Sequence, residues 1–242
     1  MPEKNQVERA VLAALERDAA INLHRHPVRV EYDHARRALI LEGEVEDIVA
    51  KKRAYEHASR IDGVQGVMDR LRVVPSEPRG DGAVRVSVAA ALLQEPALLN
   101  HALRAHNKGL VESLRAPPAA DGVIEIAVQD GVVTLTGRVG SLSHRRLIGV
   151  LAWWAPGRRD VIVEIEVAPP EADNDGEIAD ALRLVLEKDP LVHADQIGVR
   201  VRDRAVTLAG VVATAEEKKM AELDAWYLLG VSQVINRIEV RG

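Results

Sequence analysis

One pattern occurs three times along this chain, and that repetition limits the fold more than any single motif does. The runs Ala38-Leu-Ile-Leu-Glu-Gly43, Val132-Val-Thr-Leu-Thr-Gly137 and Ala205-Val-Thr-Leu-Ala-Gly210 each end on a glycine. A second glycine follows at one constant spacing, at Gly63, Gly157 and Gly230. After it comes an alternating apolar run, over residues 67–73, 161–167 and 234–240. The last copy is the most complete. Ile178, Leu182, Val185 and Leu186 recur at helical spacing and stop before Asp189-Pro190. Ile197-Gly-Val-Arg-Val201 and the run from Ala205 to Val211 alternate, as two half-buried strands joined at Arg202-Asp-Arg204. Thr214 followed by Glu217 is a capping-box start for a second helix, and Gly230 is its stop. The predicted fold is α+β: three tandem α-β-β-α-β units, each a three-stranded sheet with two helices on one face. The six recurring glycines have a backbone role in it, ending strands or capping helices.

The pattern resembles the BON domain, a module of bacterial envelope and osmotic-stress proteins. The third copy carries it through Asp189, Pro190, Ile197, Val201, Val206, Thr207, Leu208, Gly210, Gly230, Val231, Val234 and Asn236. The second carries most of it from Ile124 onward. The first is degenerate, keeping Leu39-Ile-Leu-Glu-Gly43 and Gly63-Val64 with no proline after Asp18. The resemblance implies a small lipid-binding or protein-binding module and no catalysis.

The expected organisation is a first copy over 1–75, a linker at 76–82, a second copy over 83–169, a linker at 170–176 and a third copy over 177–242. Both linkers are read from their proline, glycine and acidic content. The second copy has a longer interval between Pro96 and Ile124 than the third has between Pro190 and Ile197. A helical insertion over about 97–118, ended by Ala116-Pro-Pro118, is expected to fill it. In the first copy the second helix is expected to be charged on its outer side, at Lys51, Lys52, Arg53 and Glu56. No signal-like or membrane-spanning run is present. The sequence as written therefore reads as cytoplasmic, or periplasmic if a leader has been removed.

The residues that could carry function lie on the second helices of copies two and three. Trp153-Trp154 and Trp226-Tyr227 occupy equivalent positions, where the first copy has Ser59-Arg60. Helical geometry turns Ala221, Ala225 and Leu228 toward the sheet and Trp226 outward near Leu223, with Tyr227 on the other flank. In copy two, Ile148 and Ala152 face the sheet, while Leu147, Leu151, Trp153 and Trp154 leave the helix apolar all round. Such a helix is expected to be covered on both sides. Three covers compete. A protein partner would use the aromatics as hot spots and Arg145, Arg146, Arg158 and Arg159 for steering. An anionic phospholipid surface would take indoles at headgroup level beside the same arginines. A neighbouring repeat, or a second copy of the chain, would use the tryptophans for packing alone. The adaptor reading, with the Trp-bearing helices as contact surface, is the expectation.

Other classes are disfavoured. A net charge of −5 argues against a general nucleic-acid binder. With no cysteine there is no thiol nucleophile or thiolate-bound metal. The histidines lack ligand spacing, with His101 and His106 five apart and no His-Glu-x-x-His. Ser141 and Ser143 beside His144 lack the glycine-flanked elbow of an activated serine. Asp130 and Asp203 read as turn formers. No catalytic residue, metal ligand or cofactor is expected.

Overall fold

The computed structural model describes residues 4–241, which divide into two compact units, Met1–Val74 and Pro75–Gly242. In the first unit, α1 (Lys4–Glu16) leads to β1 (Val28–Asp33), β2 (Ala38–Val45), α2 (Ile48–Ser59) and β3 (Gly66–Val73). The central strand β2 runs antiparallel to β1 and parallel to β3. Val7, Val11 and Leu15, one helical turn apart, are buried in the same core as Leu39, Leu41 and Leu71 of the sheet and Ala54 and Ala58 of α2. Asp47 caps α2 by accepting from the Ala50 N–H at 2.9 Å. Lys51 departs from expectation. It turns inward, its Nζ donating to the Leu71 carbonyl at 2.7 Å and pairing with Asp69 at 3.0 Å. Its long apolar stem fits the core while the ammonium reaches the open end of β3.

The second unit holds two copies. The earlier comprises α3 (Asp81–Gln94), β4 (His101–Asn107), β5 (Leu110–Arg115), β6 (Gly122–Gln129), β7 (Val132–Val139), α4 (Leu142–Trp154) and β8 (Asp160–Val167). The later comprises α5 (Asp175–Lys188), β9 (Ile197–Arg202), β10 (Ala205–Val212), α6 (Ala215–Tyr227) and β11 (Gln233–Val240). The later sheet has the order β9-β10-β11 with the antiparallel and parallel pairings seen in the first unit. The earlier sheet has five strands in the order β5-β4-β6-β7-β8.

Those two extra strands correct the sequence reading, because the insertion after Pro96 is a β-hairpin and not a helix. His101, Leu103 and Ala105 alternate with more exposed neighbours, a strand period. Lys108 and Gly109 both take positive φ, at 50° and 84°, which suits a two-residue hairpin turn. Strand β4 then pairs in parallel with β6, Leu103 opposite Ile124, and carries β5 as an edge.

The repeated strand glycines have a backbone role but do not end their strands, since Gly43, Gly137 and Gly210 each lie two residues inside the strand end. Gly137 has φ +118°, and a Cβ there would collide with the carbonyl oxygen of Val123 on the paired strand. The hairpin turns are also built alike. Asp81, at the start of α3, accepts from the Asp130 and Gly131 N–H groups at 3.0 and 2.8 Å. Asp175, at the start of α5, accepts from Asp203 and Arg204 at 2.7 and 3.0 Å. Each copy of the second unit thus ties its first helix to the hairpin turn before its central strand, β6–β7 in one and β9–β10 in the other. The capping box at α6 is shifted: Thr214 takes the Glu217 N–H at 3.1 Å, while Glu217 reaches back to Ala213 and across to His193.

Candidate functional site

Helix α4 is the hub of the second unit, packing on β7 and β8 and touching α3, α5 and α6. Its sequence is apolar on every side because every side has a neighbour. Ile148 and Ala152 are fully buried, and so are Ala221, Ala225 and Leu228 of the third copy, as the periodicity predicts. The close approach of the copies passes over Gly149, where a Cβ would lie 3.3 Å from Val163 and 3.9 Å from Leu229.

Around that contact the aromatic residues pair across the copies. The Trp153 ring stacks on Tyr227 with centroids 5.3 Å apart and planes 11° from parallel. The Arg158 guanidinium lies over both rings, at 5.8 and 5.9 Å, and donates to the Tyr227 hydroxyl at 3.1 Å. The Trp154 indole N–H donates to Asp224 Oδ1 at 2.8 Å. Arg146 donates to the Leu229 carbonyl at 3.0 Å and to Asp173 at 2.5 Å.

This placement corrects the expectation of an open contact surface. Trp153, Trp226, Tyr227, Leu147, Leu151 and Arg146 are buried, and Trp154, Leu223, Arg145, Arg158 and Arg159 are half-buried. Of the three covers, the one present is the neighbouring repeat. The helical wheel gave the inner faces correctly. It could not show that the outer faces of two helices in one chain meet.

Sequence reasoning missed the polar groups of this joint. Each copy ends its first helix on a buried acid that accepts the backbone N–H two residues on: Asp18 from Ala20, Glu95 from Ala97 and Asp189 from Leu191, at 2.8–2.9 Å. A buried carboxylate needs more than one such partner. Glu95 takes Lys188 of the third copy at 2.8 Å. Asp189 faces another acid, Asp224, which is fully buried. Asp189 Oδ2 and Asp224 Oδ2 are both buried without a donor. Burial, reinforced by the Asp189 charge and opposed by the Trp154 indole, pushes the Asp224 carboxyl up to about 8. A proton on Asp224 gives its carboxyl a donor among these buried oxygens. The available signal was Asp224 itself, standing in the inward stripe of Ala221, Ala225 and Leu228.

The remaining candidates do not assemble into a catalytic or metal centre. Ser141 Oγ caps α4 by accepting the His144 N–H at 3.1 Å, and lies 2.9 Å from His144 Nδ1. His101 is buried against the His144 ring, and burial pushes its pKa below the ordinary value. His106 pairs with Glu125 at 2.9 Å. Among the described residues no three His, Cys, Asp or Glu side chains are placed to share a metal ion. No described helix is long and apolar enough to cross a membrane.

Several solved structures align over most of the chain at low similarity. The C-terminal domain of CdsD, the structural protein of the type III secretion system of Chlamydia trachomatis, matches at 12% identity and TM-score 0.25 over 100% of both chains. A second CdsD structure matches at 13% and 0.25, over 96% of this chain and 91% of that one. The PrgH periplasmic domain matches at 12% and 0.24, over 89% and 95%. No curated protein sequence matches the chain. The BON domain family model matches three segments, residues 3–75, 111–169 and 174–242. With nearly the whole length accounted for in three copies, the chain belongs to the BON domain family.

Proposed function

We propose that the chain is a non-catalytic adaptor of the BON kind in which α4 and α6 hold the second and third copies together and a partner is met elsewhere. Family membership supports a non-catalytic character and a stress- or envelope-associated setting. The observation that carries this reading is the Trp153–Tyr227–Arg158 stack with the Trp154–Asp224 hydrogen bond, which commits the aromatic residues of both helices to each other. Buried stacked aromatics whose Trp154 indole and Tyr227 hydroxyl are hydrogen-bonded within the chain are a packing arrangement. The lipid reading loses support with them, since Arg146 is buried on Leu229 and Asp173 and Arg158 is held over the rings.

Tryptophan emission tests this directly. With the indoles committed to the joint, emission is blue, iodide quenches it weakly, and vesicles containing phosphatidylglycerol leave it unchanged. Red, readily quenched emission from the protein alone overturns the reading, and so does a blue shift on adding the vesicles.

A further inference from the structure

The end of the first helix is closed in three different ways, and in the first unit it leaves a hollow. In the second unit the acid at this place meets groups from the neighbouring copy, Lys188 at Glu95 and Trp154 beside Asp189 and Asp224. In the first unit Asp18 is closed by its own α2. Its Oδ2 accepts from Arg53 Nε at 2.6 Å and lies 2.7 Å from His57 Nε2. Burial alone would raise Asp18, but the Ala20 N–H, His57 and Arg53 together hold it below its ordinary value. Positions 53 and 57 correspond to Leu147 and Leu151 in the second copy and to Met220 and Asp224 in the third, so the cationic pair is particular to the first.

Beside this cluster lies a hollow of about 470 Å³, lined by Arg17, Asp18, Arg53 and His57 with the methyl groups of Ala14, Ala19 and Ala20. Arg17 and Arg53 line it with the single carboxylate of Asp18, so its formal charge is positive before His57 is counted. Asp18 engages Arg53 through Nε, and the two terminal amino groups of Arg53 make no hydrogen bond to a described residue. A buried carboxylate that fixes an arginine by Nε, with a free fork beyond it, presents a bidentate oxyanion receptor.

We propose that this hollow binds a small soluble anion bearing a phosphate group, with Arg53 and Arg17 as its ligands and Asp18 and His57 as positioning residues. The volume exceeds that of an inorganic ion, which fits a phosphate ester with a small organic part. The apolar lining is three alanines, with no bulky apolar side chain among the described lining residues, so we assign the phosphate to a solute and not to a headgroup.

The test uses the full chain and inorganic phosphate as the probe, titrated at constant ionic strength to remove general screening. Backbone amide resonances of Ala19 and Ala20 and the Arg53 Nε signal shift and saturate together. Arg17→Gln, which leaves the Asp18 cluster untouched, and Arg53→Gln each weaken the apparent affinity about tenfold, the scale of one charge-assisted contact. Vesicles containing phosphatidylglycerol do not sediment with the protein. Absence of a saturating shift overturns the proposal, as does an unchanged affinity in Arg17→Gln. Co-sedimentation that Arg17→Gln abolishes would move the phosphate from a solute to a lipid and equally overturn it.

Discussion

Asp18, Glu95 and Asp189 occupy one structural position, and each closes its turn with a different second partner: an Arg–His pair, a lysine from the next copy, and a second carboxyl. The third solution depends on pH. The Asp224 carboxyl is raised from its ordinary value of 3.8 to about 8 in the folded protein, so between those values the folded state holds a proton that the unfolded state does not. Stability conferred by that proton is complete below the unfolded value and has been lost once pH rises through the folded one. Within the window this one group contributes a slope of about 1.4 kcal/mol per pH unit. Asp224→Asn keeps an acceptor for the Trp154 indole and supplies a permanent donor toward Asp189. Melting temperatures measured from pH 5 to pH 9 therefore fall less steeply in the variant, which becomes the more stable protein at the alkaline end. Parallel curves for the two proteins would show that Asp224 does not hold this proton.

Elements that depend on neighbours in sequence were legible in advance. Strand β7 is one: its alternation is local, and Gly137 is required by a positive φ and a facing carbonyl. Gly109 makes a contrast, because it has φ +84° but open space around it. Gly137→Ala then combines backbone strain with a collision against Val123, whereas Gly109→Ala carries strain alone, about 1 kcal/mol. Chemical denaturation shows a small loss for the second variant and loss of the cooperative second-unit transition for the first. Equal losses would place the cost in φ rather than in the contact. The hairpin β4–β5 was not legible as strands, since the long interval after Pro96 admits a helix by length. Its strand character comes from pairing with β6, a partner beyond the segment. The same physics hid the aromatic joint. The inward faces of α4 and α6 follow from their own periodicity. Whether Trp153 and Tyr227 face water depends on how two copies dock, and no single helix encodes that.

At the scale of the whole molecule, three copies of one fold make two units, because the aromatic pair is present in only two of the copies. The first has Ser59 and Arg60 at the positions of Trp153-Trp154 and Trp226-Tyr227, and both are exposed. That copy therefore lacks the stack, the indole donor and the arginine lid. The joint in the second unit rests either on the contacts across the copies or on the connecting segment, whose residues 169–174 are exposed although Asp173 pairs with Arg146 and Arg204. A protease site placed within 169–174 separates these two explanations. After cleavage of the folded protein, the second and third copies elute together on size exclusion without denaturant. Trp153→Ala removes a buried ring and its stacking partner's contact, a loss of roughly 3–5 kcal/mol at the joint. In that background the cleaved copies separate or elute as a dissociating mixture. Separation of the cleaved parent would mean that the connecting segment, and not the Trp153–Tyr227 joint, makes the two copies one unit.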